Sequence, residues 1–303
     1  MLRGLSGPKV AFLREPQLSD ELFVQLRDMI YRKSGMFFNE SKKYLLERRV
    51  ENRLKELGLE KFEDYYYLLK YSPDGEEEFR ALLDEITINE TSFYRNAPQM
   101  EVFQKYLLPE VLKAKKVKQL KLWSAGCSTG EEPYTLAILI LEVLGAGISG
   151  WSVDILAVDI SQSALEKARK GEYGHYTLRN MPLRLVQKYF VKDGPIYKVR
   201  EEVKKLVRFE AINLLDRSQT NKIRGMDFVF CRNVLIYFDA EARRRVVASF
   251  YESLNPGGYL FIGHSESLHG ISRSFDLVHF PKVIVYKKNE RISAVMSHKP
   301  LVL

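Results

Sequence analysis

The sequence predicts two domains: an all-helical N-terminal domain, followed by an α/β domain built on a doubly wound, mostly parallel sheet. Residues 19–83 repeat apolar side chains at helical spacing and contain little glycine. From residue 118 onward, strand-like and helix-like segments alternate along the chain. Such alternation is typical of a parallel sheet covered by helices, with ligands bound at the carboxyl ends of the strands.

The elements of the α/β domain can be placed one by one. Residues 275–287 predict a hairpin that adds an antiparallel strand, and residues 171–205 predict a small inserted β-subdomain. The predicted strands are 120–125, 153–160, 207–214, 226–233 and 257–263, and the predicted helices are 132–144, 163–170 and 241–254. The predicted boundaries are 1–84 for the helical domain, 85–96 for a linker, 97–290 for the α/β domain and 291–303 for a tail.

Composition narrows the class of protein. No apolar run reaches the roughly 18 residues of a membrane span, and the first residues lack the apolar core of a signal peptide. Cys127 and Cys231 form neither a disulfide framework nor a zinc set. We therefore expect a cytoplasmic protein that does not insert into a membrane. The net charge of +8 fits an acidic partner, and it leaves nucleic acid open as an alternative.

The loop after the first strand, G-C-S-T-G-E-E, resembles a phosphate-binding loop but lacks its lysine. Glu131 and Glu132 at the start of the following helix would repel a phosphate and neutralise the helix dipole. Gly126 and Gly130 would still let the backbone approach a ligand closely. The loop therefore favours a ligand without phosphate.

Side chains at the ends of the next strands indicate an adenosyl group. Asp159 ends the second strand, at a position where an acid typically holds ribose hydroxyls. Asn213 and Leu214 end the third strand, and an amide beside an apolar side chain suits an adenine ring. S-Adenosylmethionine is an adenosyl ligand that is positively charged and carries no phosphate, and Glu131 would suit its cation. A nicotinamide-binding fold with altered glycines is the alternative.

Six motifs in order resemble those of the CheR family, the chemotaxis receptor methyltransferases. They are I-N-E-T-S-F-Y-R, W-S-A-G-C-S-T-G-E-E-P-Y-T, V-D-I-S, N-L-L-D, F-C-R-N-V-L-I-Y-F-D and G-H-S-E-S. The resemblance covers residues 20–288. It implies a class I methyltransferase (Rossmann-like) fold, S-adenosyl-L-methionine as methyl donor with S-adenosyl-L-homocysteine as product, and glutamate side chains of chemoreceptors as acceptors.

The resemblance also implies roles for individual residues. Arg95 and Tyr237 become the catalytic candidates, because they would orient the acceptor carboxylate or the donor's own carboxylate. Glu131 would face the donor's amino group, and Arg232 and Asn233 would lie near the transferred methyl group. The implied donor-binding residues are Asn89, Thr91, Arg95, Gly126, Glu131, Asp159, Asn213, Leu214, Arg232 and Asn233.

Methyl transfer to a glutamate needs no general base, because the carboxylate is already ionised at neutral pH. The motifs accordingly contain one histidine, His264, which we interpret as structural. We predict no metal site. What the reaction requires is alignment of the reacting groups and exclusion of water.

A basic helix over residues 42–55 carries six Lys and Arg against two Glu. The resemblance assigns this helix to the chemoreceptor's cytoplasmic helical bundle, with Lys42, Arg49 and Arg53 as receptor-binding candidates. The alternative is a solvated face on which Glu47 and Glu51 pair with the basic residues. Some family members bind a receptor's C-terminal tail peptide through the inserted sheet. The short loop at Gly194 in this chain argues against such tethering.

Two other functions remain alternatives: a nucleic-acid methyltransferase and a non-catalytic S-adenosylmethionine-sensing adaptor. Amino-methylating enzymes carry (N/D)-P-P-Y after the fourth strand, where this chain has R-N-V-L. Cytosine C5 enzymes use a Pro-Cys nucleophile, whereas Cys231 follows Phe230. The presence of Arg95 and Tyr237 disfavours the adaptor. We expect a monomer that does not bind nucleic acid.

Overall fold

The computed structural model describes residues 17–87 and 89–289, which form two compact units. One unit comprises residues 17–29 and 38–86, and the other comprises residues 30–37, 87 and 89–289. Residues 30–37 thus cluster with the second unit, a division that differs from a single cut after residue 84. The predicted tail over 291–303 lies outside the described residues.

Helices alone build the first unit, as far as the described residues show. The helix α2 buries Leu46, Val50 and Leu54, which lie four residues apart and therefore on one face. Leu57, three residues after Leu54, is 39% exposed, because the helix ends there and Gly58 follows in the left-handed conformation. The helices are α1 (Asp20–Ser34), whose residues 30–34 are counted with the second unit, α2 (Lys43–Leu57), α3 (Phe62–Tyr71) and α4 (Gly75–Ile86).

The second unit is a layered α/β structure, and the predicted strands and helices end within three residues of the observed ones. Its strands are β1 (Gln119–Ala125), β2 (Ser152–Asp159), β3 (Glu172–Gly174), β4 (Phe190–Asp193), β5 (Ile196–Val199), β6 (Val207–Ala211), β7 (Met226–Cys231), β8 (Leu254–Ile262), β9 (Phe275–Phe280) and β10 (Val283–Lys288). Its helices are α5 (Ala97–Val102), α6 (Leu108–Ala114), α7 (Glu131–Leu144), α8 (Gln162–Lys170), α9 (Leu183–Tyr189), α10 (Glu201–Lys204), α11 (Arg217–Thr220) and α12 (Ala240–Ser253).

Seven strands form the main sheet in the order β6-β2-β1-β7-β8-β10-β9. The first five are parallel, and β10 and β9 add the predicted antiparallel hairpin. The chain moves outward from β1 through β2 to β6 and then returns to β7 on the other side of β1. That reversal opens a crevice at the carboxyl ends of β1 and β7, where doubly wound sheets bind ligands.

A separate three-stranded antiparallel sheet, β3-β5-β4, forms the insert between α8 and β6. Together with the terminal hairpin and the helical N-terminal unit, it confirms the predicted fold class. The insert packs on the linker through aromatic rings, because the Phe93 ring meets Tyr173 and Phe190 edge-on at 4.8 and 5.1 Å. Edge-on contacts of this kind add stability beyond the burial of apolar area.

Among the described residues, one helical segment, 131–150, is long and apolar enough by length and composition to cross a membrane. Its residues Leu136, Ile138 and Ile140 are fully buried within the core of the second unit. The apolar side chains on one face of β1 and β7 belong to the same cluster, namely Leu120, Leu122, Phe228 and Phe230. Burial in the protein interior accounts for the apolar composition of this helix.

Candidate active site

A cavity of about 330 Å³ lies in the second unit, at the carboxyl ends of β1, β2, β6 and β7. Its volume falls within the range of small-molecule sites. Ten of the predicted site residues line it, namely Asn89, Thr91, Arg95, Gly126, Asp159, Asn213, Leu214, Arg232, Asn233 and Tyr237. The fold therefore brings together residues that are up to 148 positions apart in the chain (237 − 89).

The loop after β1 forms one wall through its backbone. Gly126 has a φ of 80°, and its N–H donates to the Val158 oxygen at 2.8 Å. A Cβ atom on Gly126 would lie 2.4 Å from a methyl group of Val234, so only glycine fits there. On the insert side, the Tyr173 hydroxyl donates to the Thr129 oxygen at 2.7 Å and holds the same loop.

Asp159, at the end of β2, presents a carboxylate at the cavity wall. It accepts hydrogen bonds from the backbone N–H groups of Ser128, at 2.7 Å, and Ser161, at 2.9 Å. Two backbone donors favour the charged form of a carboxylate. The carboxylate is thereby fixed in position, and only 8% of the residue is exposed.

At the end of β6, the Asn213 side chain is held at both ends. Its amide donates to the Lys33 oxygen at 2.7 Å, and its oxygen accepts from the Leu215 N–H at 3.0 Å. Leu214 and Ile212 are buried apolar neighbours that also line the cavity. This end of the cavity is apolar with one oriented amide, an environment that suits a planar heterocycle.

The linker is bent on both sides of Arg95. Tyr94 and Asn96 have φ values of 58° and 59°, in the left-handed region that residues other than glycine rarely adopt. The Tyr94 N–H donates to the Thr135 hydroxyl at 3.1 Å, which anchors the first bend. The Arg95 guanidinium donates to the Glu90 backbone oxygen at 2.9 Å, and both residues line the cavity.

Arg232 connects the linker with α7. Its guanidinium donates to the Gln99 side-chain oxygen at 2.7 Å, to Glu132 Oε2 at 3.0 Å and to the Arg95 backbone oxygen at 2.6 Å. Gln99 in turn donates to the Ile262 oxygen at 2.7 Å. A planar guanidinium with several fixed donors can satisfy all three acceptors at once, which a lysine cannot do with the same geometry.

Glu132, rather than Glu131, lines the cavity, and the prediction for Glu131 was wrong in this respect. Successive residues of a helix point about 100° apart, so only one of the two carboxylates can face the ligand. Glu131 is buried, accepts from the Thr129 hydroxyl at 2.7 Å, and has its pKa raised by burial. Glu132 accepts from the Ser124 hydroxyl at 2.7 Å as well as from Arg232.

Tyr237 lines the cavity from the single-turn helix that follows β7. Its backbone oxygen accepts from the Phe37 N–H at 2.9 Å, which fixes the turn. Burial raises the pKa of Tyr237, with Arg95 opposing the shift. The phenol is therefore protonated at neutral pH and can donate a hydrogen bond.

Both cysteines are buried thiols without nucleophilic character. Cys127 contributes to the cavity wall, whereas Cys231 lies in β7. Burial raises the pKa of each thiol well above its usual value, and neighbouring carboxylates, Asp159 at Cys127 and Glu266 at Cys231, add to the shift. Thiolate, not thiol, is the reactive form. The described part of the chain contains no cluster of three or more His, Cys, Asp or Glu suited to a metal ion.

The three basic candidates of the first unit differ in their surroundings. Arg53 forms two hydrogen bonds with the buried Glu78, at 2.9 and 2.7 Å, and its side chain is 14% exposed. Arg49 donates to Glu85 at 3.3 Å and is 40% exposed. Lys42 is exposed. Arg53 thus pairs with a carboxylate inside the unit, whereas Lys42 faces solvent, and receptor binding by these three residues stays a prediction.

The fold and the cavity define a doubly wound α/β protein with a nucleoside-type site that lacks a phosphate loop. The family model described as "CheR methyltransferase, SAM binding domain" matches residues 89–284, and the model described as "CheR methyltransferase, all-alpha domain" matches residues 21–87. The chain belongs to the CheR methyltransferase family. It is a class I methyltransferase of chemotaxis, and S-adenosyl-L-methionine is its methyl donor.

Several curated relatives cover most of the chain. The chemotaxis protein methyltransferase 2 of Vibrio cholerae is 36% identical over 91% of this chain and 96% of its own length. The chemotaxis protein methyltransferase of Escherichia coli is 35% identical over 86% of this chain and 89% of its own length. Among solved structures, the N-methyltransferase NodS from Bradyrhizobium japonicum, in complex with S-adenosyl-L-homocysteine, is 13% identical, covers 65% of this chain and 90% of its own, and has a TM-score of 0.37. That score is too low to support a conclusion.

Proposed function

We propose that this protein is a protein-glutamate O-methyltransferase that forms methyl esters on glutamate side chains of chemoreceptors. The proposal is supported by the chemistry of the cavity wall, which combines two arginines, a protonated tyrosine, three asparagines and three carboxylate side chains. No histidine or lysine lines the cavity among the described residues. Such a wall can orient a carboxylate, and an acceptor that is already ionised needs no histidine or lysine to remove a proton.

The cavity residues fit the donor, each through its own chemistry. Asp159, a hydrogen-bond acceptor, suits the ribose hydroxyls, and Asn213 with Leu214 suits the adenine ring. Glu132 and Arg232 carry the two charges that an amino-acid ammonium and carboxylate require. Gly126, where a Cβ would meet Val234, keeps the wall close to the ligand. Asn89, Thr91 and Asn233 complete the polar wall.

When bound, the donor would supply an electrophilic methyl group on a positively charged sulfur. A carboxylate oxygen of the acceptor would bond to that methyl group as the methyl–sulfur bond breaks, which gives a methyl ester and S-adenosyl-L-homocysteine. Arg95 attracts and orients the acceptor carboxylate by charge, and Tyr237 adds one hydrogen bond from its protonated phenol. Arg232 fixes the Arg95 backbone, and the Arg95 guanidinium donates to the Glu90 backbone oxygen at 2.9 Å, so the guanidinium has a defined position before the acceptor arrives. Preorganised charge of this kind is a large contribution to catalysis.

We further propose that the chemoreceptor's cytoplasmic helical bundle binds the exposed basic face at the start of α2. Lys42 and Arg48 are exposed there, beside the exposed side chains of Tyr44 and Leu45. Basic side chains around exposed apolar ones suit an acidic helical surface. The proposal replaces Arg53 with Arg48, because Arg53 already has carboxylate partners.

The receptor's C-terminal tail peptide, in contrast, is not expected to bind. The hairpin between β4 and β5 turns through Gly194 and Pro195 alone, which leaves no extended loop at that end of the insert. The protein is proposed to act as a cytoplasmic monomer. A titration with the tail pentapeptide of tethered receptors should give no heat, and micromolar binding would contradict this part of the proposal.

Transfer of labelled methyl groups to purified chemoreceptors tests the function. The label should appear on receptor glutamates, as located by mass spectrometry of proteolytic peptides, and mild base should release it as methanol. Methyl groups on nitrogen or carbon resist such treatment, so a base-stable label would overturn the proposal. Transfer to nucleic acid under the same conditions should remain at background.

A further inference from the structure

Asn233 lines the cavity in an unusual backbone conformation. It follows β7 by two residues and has a φ of 61°, in the left-handed region. Asparagine tolerates this region better than most residues, but the conformation still needs support from its surroundings. Residues in such strained conformations cluster at ligand sites, where contacts with the surrounding structure hold the backbone in place.

The support comes from Glu266, which follows the neighbouring strand. Glu266 Oε2 accepts hydrogen bonds from the Asn233 N–H at 2.9 Å and from the Gly263 N–H at 2.6 Å. The Glu266 N–H donates to the Gly263 oxygen at 2.9 Å and closes a turn after β8. Since β7 and β8 are parallel neighbours, with Cys231 opposite Ile262, one carboxylate oxygen joins the two loops that leave them.

The lack of a side chain at Gly263 leaves room for this carboxylate. A Cβ atom on Gly263 would lie 2.7 Å from Glu266 Oε2 and 3.0 Å from the Asn233 nitrogen. The second oxygen, Oε1, is buried and has no hydrogen-bond partner among the described residues. An unsatisfied buried oxygen costs stability, so closing a turn alone does not explain a glutamate here.

Glu266 also acts electrostatically on two residues of the cavity, Arg232 and Tyr237. Burial lowers the pKa of Arg232, and Glu266 acts in the opposite direction after Glu132. Burial raises the pKa of Tyr237, and Glu266 adds to that shift. Glu266 therefore influences cavity residues electrostatically although it does not line the cavity.

We propose that Glu266 is a positioning residue of the donor site: its carboxylate holds the Asn233 backbone in the left-handed conformation and thereby directs Asn233 toward the donor. The inference rests on the proposed assignment of this cavity as the donor site. A glutamate that only closes the turn after β8 would instead affect the stability of the fold and leave donor affinity unchanged.

The test compares four variants of the full chain: Glu266→Ala, Glu266→Gln, Glu266→Asp and, as a control, Ser265→Ala in the exposed part of the same turn. Affinity for S-adenosyl-L-homocysteine is measured by calorimetry on the folded fraction, together with thermal stability. Glu266→Ala should weaken binding about tenfold or more, because two bonds to a charged acceptor are lost. Glu266→Gln, which keeps an acceptor oxygen, should recover most of the loss, and Ser265→Ala should bind like the wild type.

A double-mutant cycle identifies Asn233 as the route of the effect. Glycine adopts positive φ without steric cost, so Asn233→Gly removes both the side chain and the need for backbone support. In that background Glu266→Ala should weaken binding by less than about twofold, because the two changes act on one structure and are not additive. An equal loss in both backgrounds would overturn the inference.

Two further outcomes are decisive. Wild-type affinity in Glu266→Ala overturns the positioning role, and if that variant does not fold, wild-type affinity in Glu266→Asp does so, because the shorter carboxylate cannot reach both N–H groups. If Asp159→Ala and Asn233→Gly also bind S-adenosyl-L-homocysteine like the wild type, the donor-site assignment itself fails. The two failures are thus distinguishable.

Discussion

Glu131 and Glu132 are neighbours in the chain, but only the Glu132 carboxylate lines the cavity, where it accepts from Arg232 at 3.0 Å. Glu131 lies in the protein interior and accepts from the Thr129 hydroxyl. The first turn of α7 therefore places the Glu132 carboxylate at the cavity and the Glu131 carboxylate in the protein interior. The pair provides an internal control for the donor site.

Glu132→Gln should weaken binding of S-adenosyl-L-homocysteine about tenfold, because Arg232 and the donor ammonium both lose a charged acceptor. Glu131→Gln should change the affinity by less than about twofold. Burial raises the pKa of Glu131, its carboxylate does not line the cavity, and the amide oxygen of a glutamine can still accept from the Thr129 hydroxyl. Calorimetric titration of both variants gives the comparison. If Glu131→Gln lost more affinity than Glu132→Gln, the donor contact would be assigned to Glu131.

Asp159→Ala should weaken donor binding without unfolding the protein. Each lost hydrogen bond to the carboxylate is worth roughly 1.5 to 3 kcal/mol, which corresponds to about 10- to 150-fold in affinity. Asp154→Ala is the matched control, because Asp154 lies on the same strand and pairs with Arg208 at 2.8 Å outside the cavity. Unchanged affinity for S-adenosyl-L-homocysteine in Asp159→Ala would remove the ribose assignment.

Arg95→Lys should lower turnover about 100-fold and change donor affinity only a few-fold. A lysine ammonium keeps the charge but lacks the planar arrangement of donors of a guanidinium. The acceptor carboxylate would then be misaligned, and a misplacement of about 1 Å can lower the rate about 100-fold. Single-turnover rates at saturating donor separate the two quantities. Tyr106→Phe, at an exposed tyrosine of the same unit, should leave both unchanged. Equal losses in rate and affinity would assign Arg95 to donor binding alone.

The sequence predicted the order of elements well, because the periodicity of apolar side chains is a local property that survives in β1, β2 and β7. It also predicted that Asp159 and Asn213 lie in one site, and both line the cavity. Side chains at the carboxyl ends of parallel strands meet at one edge of the sheet. The choice between Glu131 and Glu132 depends on how α7 rotates against the sheet, which a motif of two adjacent glutamates does not specify.

Long-range pairings were not predictable from the sequence. Arg53 and Glu78 are 25 residues apart, and helical spacing indicates which residues share a face without indicating what packs on it. The same holds for Glu266, which belongs to the motif G-H-S-E-S but bonds to Asn233, 33 residues earlier. Arrangements of this kind follow from how elements pack and leave no periodic signal.

Substitutions of buried and exposed basic residues separate the stability of the helical unit from receptor recognition. Arg53→Met should destabilise that unit by about 3 kcal/mol, because Glu78 loses its charged partner in a nearly buried position. The double variant Lys42→Glu/Arg48→Glu changes only exposed residues, so it should fold and bind S-adenosyl-L-homocysteine like the wild type. It should methylate receptors at least about tenfold more slowly at low salt, because attraction to an acidic surface becomes repulsion.

The matched control is Lys61→Glu/Arg80→Glu, which changes the net charge equally at exposed positions outside α2. This control should methylate receptors at nearly the wild-type rate, and the wild-type rate itself should fall as salt screens the attraction over a Debye length of about 8 Å. Initial rates measured across a salt series for all three proteins test the prediction. If the Lys42/Arg48 variant keeps the wild-type rate at low salt, or if the control slows equally, the start of α2 is not the receptor-binding face.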